Sequence, residues 1–342
     1  MAHHKPTLAA ARDDSSSTPV TARFLEIIAD DLVATDELFR QELRSDVPFI
    51  DEAGEYIFAG GGKRVRPALL LLSARLLGHM GEEPVTYAAV VELIHTATLI
   101  HDDIIDHAAL RRSQPTVNHL WGNSRTVLLG DWLYTTAMQM ALRHDNLEVV
   151  RALCSATSRM TEGELMALER LGRTDLTVDE YFAIIDRKTA HLFSAACTIP
   201  SLIRPADADG GAALTEYGEK LGVCFQLVDD LLDFTAREAE LGKPVLSDLK
   251  EGKLTLPLIL LLPRLDPKRR RAIELVLEDG DFRRTSREEI LELVNSAGTI
   301  EEVSLLASDY AREARAALSR FPASGAREAL ESAPDFVLRR RS

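Results

Sequence analysis

The sequence is short of several things, and each shortage narrows what it can be. Only three of its 342 residues are cysteine: Cys154, Cys197 and Cys224. They are scattered, odd in number and free of CxxC spacing, which argues against a disulfide framework or a cysteine-rich zinc module. They read as free thiols of a reducing compartment, packed in the core. Long apolar runs are also missing. None reaches the roughly 18 residues of a membrane-spanning helix. The greasiest stretch, Leu254 to Leu265, is interrupted by Pro257, Pro263 and Arg264. Period-two alternation is absent, so nothing reads as a half-buried strand. Positive charge is in deficit: 40 Lys and Arg face 54 Asp and Glu, a formal net charge of −14. That argues against non-specific nucleic-acid binding, which requires a basic face. It leaves room for an anionic substrate, provided local cations exist to hold it.

The first twenty residues, MAHHKPTLAAARDDSSSTPV, are polar and rich in Ser, Ala and Asp. They lack the apolar centre of a secretory signal and read as a disordered tail, residues 1–20. These features together predict a cytoplasmic protein with no integral membrane segment and no nucleic-acid partner.

From about Thr21 to the end the pattern is helical. Phe24, Ile27, Ile28, Leu32, Leu38, Phe39 and Leu43 recur at three- and four-residue spacing. Turn signals fall at Gly60-Gly61-Gly62, Gly78 to Pro84, Gly122-Asn123, Gly172 to Leu176, Pro205 to Gly211, Gly242-Lys243-Pro244 and Pro263 to Pro267. Thr177-Val178-Asp179-Glu180 spells a capping box, and Ser286-Arg287-Glu288-Glu289 is similar. No internal linker is long enough to separate one domain from another. The reading is all-α: one large helical bundle over residues 21–342 with a central cavity.

Two segments carry chemistry inside apolar helices. LIHDDIID (residues 99–106) holds Asp102, Asp103 and Asp106, and VDDLLD (228–233) holds Asp229, Asp230 and Asp233. On a helix, residues four apart lie one above the other. Asp102 therefore aligns with Asp106, and Asp229 with Asp233; Asp103 and Asp230 turn about 100° aside. Carboxylates so crowded repel one another, and burying them is costly. Something positive must neutralise them. Hard oxygen donors of this kind suit Mg²⁺, which bridges carboxylates to substrate phosphates. Zinc prefers His and Cys. A di-iron bundle needs paired Glu-x-x-His; Glu92-Leu93-Ile94-His95 has that spelling, with no second copy. A solvated acidic face explains one such cluster better than two.

Cations are present. Gly60-Gly61-Gly62-Lys63-Arg64-Val65-Arg66-Pro67 sets glycines, two candidate phosphate ligands and a helix start side by side. Arg111 and Arg112 follow the first acidic cluster; Lys188-Thr189, Gln226, Lys243 and Lys253 come later. GGKRVRP (61–67 with Gly60 before it), ELIHTATLIHDDIIDHAALRRSQPT (92–116), Lys188-Thr189, FQLVDDLLDF (225–234) and GKPVLSDLKEGKLTLP (242–257), in this order, resemble the all-trans-polyprenyl diphosphate synthases of the trans-isoprenyl diphosphate synthase family.

The resemblance implies the isoprenoid synthase fold and prenyltransferase activity. Asp102, Asp103, Asp106, Asp229, Asp230 and Asp233 would hold about three Mg²⁺ ions against an allylic diphosphate such as farnesyl diphosphate. Arg111, Lys188, Thr189, Gln226 and Lys243 would bind that diphosphate, with Lys188, Lys243 and Arg111 sharing the charge that develops as it leaves. Lys63, Arg66, His95 and Arg112 would bind isopentenyl diphosphate. Ser113 and Leu246 depart from the family, standing where Gly is usual. Family members pair as homodimers, which this chain is expected to do.

Ala97 and Thr98, five and four residues before Asp102, are small where short-product members often carry an aromatic floor. An open tunnel lined deeper by Leu93, Ile94 and Val90 is expected, and with it a long product, heptaprenyl to decaprenyl. A geranylgeranyl diphosphate synthase is the near alternative. A terpene cyclase would not normally carry both aspartate clusters, and a non-catalytic subunit of a two-chain synthase tends to lose them.

Overall fold

The computed structural model describes residues 25–204, 208–235 and 244–339. The tail at 1–20, the segment containing Lys243 and the last three residues lie outside the described residues. The chain runs through α1 (Ala29–Glu42), α2 (Pro48–Ala59), α3 (Val65–Leu76) and α4 (Glu82–Ile105) into a short hairpin, β1 (Leu110–Arg111) and β2 (Gln114–Pro115). There follow α5 (Val117–Trp121), α6 (Asn123–Ala141), α7 (Leu147–Glu169), α8 (Val178–Ile185), α9 (His191–Ile203) and α10 (Ala208–Thr235). The rest is α11 (Ser247–Lys250), α12 (Leu256–Leu261), α13 (Pro267–Asp279), α14 (Arg287–Ser296), α15 (Thr299–Ala317) and α16 (Gly325–Arg339). The fold is all-α. Among the described residues the hairpin is the one departure from the strand-free reading, and it pairs only Leu110 with Pro115 and Arg111 with Gln114.

The chain breaks where turn residues stand. Gly60 ends α2, and the following glycines carry the chain to α3. Thr177 caps α8 with both halves of the capping box in place, while Ser286 caps α14 by accepting from the Glu289 N–H. Asp266 does the same for α13 through Arg269 N–H.

Two long helices organise the bundle. α4 packs along α6, α3 and α1; α10 packs along α9 and α15. Every residue of α4 from Pro84 to Ile94 is buried. A helix apolar all round belongs in the interior, so α4 is a central post whose last turn delivers the first aspartate cluster to an edge of the core. α10 delivers the second from the other side.

This packing corrects one expectation. Val90, Leu93 and Ile94 are each 0 % exposed, so no open tunnel runs along them. They lie on one face of α4, at three- and four-residue spacing, and neighbouring helices close over it. Ala97 is buried at 3 %, and Thr98 is partly exposed with its hydroxyl donating to the His95 carbonyl. Cys197 and Cys224 are buried and outside any disulfide, as the sequence suggests, but Cys154 is exposed on α7.

Candidate active site

α8 and α9 form one continuous helix interrupted by a π-helical turn, Asp186–Ala190. Such turns are rare and concentrate at functional sites. This one presents Lys188 and Thr189. It is gripped from both sides at positions that tolerate no side chain. A Cβ on Gly163 of α7 would stand 2.5 Å from the Lys188 backbone nitrogen, and one on Gly222 of α10 2.6 Å from the Ala190 Cα.

From Lys188 the site can be built outward. Its ammonium pairs with Glu164 of α7. The Thr189 hydroxyl donates to Gln226 Oε1 at 2.7 Å, and Gln226 Nε2 donates to Asp230 Oδ1 at 2.7 Å. The Tyr181 hydroxyl donates to the other oxygen, Asp230 Oδ2, at 2.6 Å. Asp233 is held differently. Its Oδ1 accepts from the Ser247 hydroxyl at 2.7 Å and backbone N–H at 3.1 Å, and its Oδ2 from the Asp248 N–H at 3.1 Å. Asp230 and Asp233 are thus buried and supplied with donors on both oxygens, whereas Asp229 is exposed.

These residues line a cavity of about 280 Å³ that includes Lys188, Thr189, Gln226, Asp229, Asp230, Asp233 and Lys253. Lys253 ties this cavity to the first cluster, because its ammonium donates to Asp106 Oδ1 at 2.8 Å. Burial alone would lower the Lys253 pKa, but the carboxylates of Asp106 and Glu251 outweigh it and raise it. The two acidic clusters therefore meet at one mouth. Asp102 belongs there too. Burial pushes its carboxyl up to about 6, opposed by Lys188 and reinforced by Glu164 and Asp106. Burial also pushes Asp230 up to about 8, with Asp248 adding to the effect.

A second, smaller cavity of about 110 Å³ lies against the other face of α4. It gathers His95, Asp103, Arg111 and Arg112 with Arg64 and Glu92. Arg111 donates to Asp103 Oδ1 at 2.8 Å, so this aspartate, turned aside on its helix, carries its own counter-ion. Arg112 donates to the Gly61 carbonyl at 2.6 Å and ties the hairpin to the glycine loop. Arg112 and Ser113 form the two-residue hairpin loop, with φ of 52° and 63°. Positive φ at both central residues is the signature of the type I′ turn. His95 is held well below the ordinary imidazole range by burial and then by Arg66, Arg111, Arg112 and Arg64. It is neutral at pH 7. Burial lowers Arg66 to about 10, partly offset by Glu92 and Asp229, and its guanidinium lies 4.6 Å from the Phe193 ring centroid. Lys63 is exposed beside it.

The sequence-predicted residues are thus distributed over two connected faces. Lys188, Thr189, Gln226 and the second cluster share one cavity; His95, Arg111, Arg112 and Asp103 share the other. Lys253 joins Asp106 to the first cavity, and Arg66 senses Glu92 on one side and Asp229 on the other. Lys243 lies outside the described residues. Tyr181, Glu164 and Ser247 do not stand out in the sequence. Each lies 14 or more positions along the chain from its carboxylate or ammonium partner, and although Ser247 falls within GKPVLSDLKEGKLTLP, nothing in that spelling marks it as a donor.

Hard carboxylate oxygens at this mouth fit a divalent metal, and an ammonium already rests on one of them. Among the described residues, no three Asp, Glu, His or Cys side chains form a ready-made cage. Among the described residues, no helix is long and apolar enough to cross a membrane.

Comparison with known proteins agrees with this geometry. Residues 47–294 match the family model described as polyprenyl synthetase. The chain is 39 % identical over 305 residues to octaprenyl diphosphate synthase of Escherichia coli, covering 89 % of this chain and 94 % of that one. It is 35 % identical over 322 residues to geranylgeranyl diphosphate synthase of Sulfolobus acidocaldarius, covering 90 % and 96 %. Its fold is similar to that of a polyprenyl synthase from Caulobacter crescentus, solved with calcium and isoprenyl diphosphate. The TM-score is 0.88 at 36 % identity, over 97 % of this chain and 100 % of that one. Family model, relatives and fold converge with the paired aspartate clusters: the chain belongs to the polyprenyl synthetase family and is a prenyltransferase, a prenyl diphosphate synthase.

Proposed function

We propose that the chain, acting as one all-helical unit over residues 21–342, condenses isopentenyl diphosphate onto an allylic diphosphate to make a long all-trans polyprenyl diphosphate. The observation that carries this reading is the common mouth of the two acidic clusters, where Lys253 reaches Asp106 from the cavity of Asp229. Asp102, Asp106 and Asp229 are the carboxylates suited to face Mg²⁺ ions. Asp103, engaged by Arg111, and Asp230 and Asp233, engaged by neutral donors, keep that arrangement in shape. Held by these carboxylates, a divalent ion would supply charge that stabilises the departing diphosphate. Lys188 and Arg111, with Lys243, place fixed positive charge at the same leaving group. Lys63, Arg66 and Arg112 grip the second diphosphate, with neutral His95 as a hydrogen-bonding neighbour. Thr189 and Gln226 orient the allylic headgroup. Buried apolar helices beneath exclude water from the cation that forms. No protein side chain stands out as an obligatory base, so the lost proton goes to the released pyrophosphate.

Small Ala97 and Thr98 favour a long product of heptaprenyl to decaprenyl length, as does the likeness to an octaprenyl diphosphate synthase. The full packing of Val90, Leu93 and Ile94 favours the second reading, a geranylgeranyl product, because a longer tail would have to displace that packing. Chain-length analysis decides. Purified protein is given farnesyl diphosphate, labelled isopentenyl diphosphate and Mg²⁺; a product beyond geranylgeranyl length supports the first reading. Ala97→Phe should then shorten it, and an unchanged length would show that the growing tail passes elsewhere. The family's homodimer and a cytoplasmic location complete the proposal. Sizing by light scattering tests the dimer, and fractionation of cells tests the location.

A further inference from the structure

Of the basic residues at positions 63 to 66, substrate binding as proposed uses Lys63 and Arg66 and leaves Arg64 without a task. Glu92, from the Glu-x-x-His spelling, has none either. The structure joins them. Arg64 Nη1 donates to Glu92 Oε1 at 2.7 Å, and its Nε donates to Asp36 Oδ1 at 2.7 Å. The guanidinium also lies 4.8 Å from the Phe39 ring centroid. The Glu92 side chain is 8 % exposed and that of Arg64 15 %.

The backbone shows what this anchoring does. Arg64 sits at φ 46°, in the left-handed region, as the N-cap of α3. For a residue with a Cβ that conformation is sterically strained, and it persists only where the surroundings over-determine it. Here the surroundings are Asp36, Glu92 and Phe39, from α1 and α4. The preceding loop rests directly on the ion pair. A Cβ at Gly62 would stand 3.1 Å from Arg64 Nη1 and 3.4 Å from Glu92 Oε1. Two residues further on, Arg66 faces the same carboxylate electrostatically.

We infer that the Arg64–Glu92 pair is a positioning device for the isopentenyl diphosphate side of the reaction. It pins the Gly60–Arg66 loop against α4 so that Lys63 and Arg66 meet the incoming diphosphate at a fixed height. Both line the cavity of His95 and Arg112, but their paired polar atoms are spent on each other and on Asp36. The inference rests on the proposed reaction and adds to it a reason why one of the loop's basic residues is engaged by protein carboxylates.

The test uses the full chain. Removing one partner leaves a buried charge unpaired and is expected to destabilise the fold, whereas replacing both by apolar residues of similar volume is often neutral. The informative variant is therefore the double Arg64→Met/Glu92→Leu, with Glu92→Gln and Arg64→Lys beside it. In the double variant, thermal unfolding should stay within a few degrees of the parent. KM for isopentenyl diphosphate should rise about tenfold or more while KM for farnesyl diphosphate stays within about twofold. Arg64→Lys, which keeps charge but loses the planar fork, should fall between. A folded double variant with an unchanged isopentenyl diphosphate KM overturns the inference, as does an equal rise for both substrates. If the parent chain itself forms no condensation product, the proposed reaction fails instead. Calorimetric titration with isopentenyl diphosphate then decides the inference separately: binding about tenfold weaker in the double variant supports it, equal binding overturns it.

Discussion

The two aspartate clusters are spelled alike and built differently. In the first, Asp103 is held by Arg111 and Asp106 by Lys253, so cations from loops balance the carboxylates. In the second, Asp230 and Asp233 are held by a phenol, an amide, a hydroxyl and two backbone N–H groups, all neutral. Neutral donors fix a carboxylate in place without cancelling its charge. The second cluster is thus a wall whose buried carboxyls are fixed in place by hydrogen bonds. The first is a partly neutralised edge whose counter-ions belong to neighbouring loops. An identical motif in the sequence conceals this division between a fixed jaw and an adjustable one.

The largest effect should come from testing whether both jaws are needed. Asp102→Asn and Asp229→Asn should each lower kcat by about a thousandfold or more, since each removes charge from the cation-binding mouth. A loss below about tenfold at either position, in steady-state assays at saturating Mg²⁺, would show that only one jaw binds metal. A middle-sized effect should separate the neutral scaffold from the charged one. Tyr181→Phe strips a donor from buried Asp230, which costs about 1–3 kcal/mol of stability by urea unfolding. If the fixed-jaw description is right, kcat should fall as well, by about tenfold; an unchanged kcat would reduce Tyr181 to a packing residue. The smallest effect concerns the adjustable side. Ser113→Gly relieves a positive φ in the type I′ turn but adds unfolded-state freedom, so stability should change by less than about 1 kcal/mol. A larger gain would mean that the hairpin carrying Arg111 and Arg112 is under strain.

Much of this is legible in the chain itself. The three- and four-residue spacing predicts the bundle, the capping box at Thr177 is formed, and the order of the motifs points to the family. Other features leave no trace in the pattern. A π-turn has nearly the periodicity of the helix around it, so Asp186–Ala190 reads as ordinary helix. Tyr181 looks like one more apolar residue until the fold brings it 49 positions along the chain to Asp230. The expected tunnel fails for a related reason: sequence offsets from Asp102 give depth along α4, but they do not reveal which sides its neighbours close. Leu246, flagged only as a departure from Gly, lies at φ 59° and is fully buried. Burying its side chain contributes roughly 1.5–3 kcal/mol, enough to offset the roughly 1–2 kcal/mol of left-handed strain.

The π-turn has a consequence for how this segment can change over time. One residue more than α-helical winding requires has been spliced in between α8 and α9. Deleting one residue of that turn would restore α-helical winding and leave the flanking helices nearly in phase, because the extra residue is what the π-turn absorbs. α9 would keep its face, while the local presentation of Lys188 and Thr189 would be lost. The extra residue therefore serves the placement of this pair and not the packing of the helix that follows.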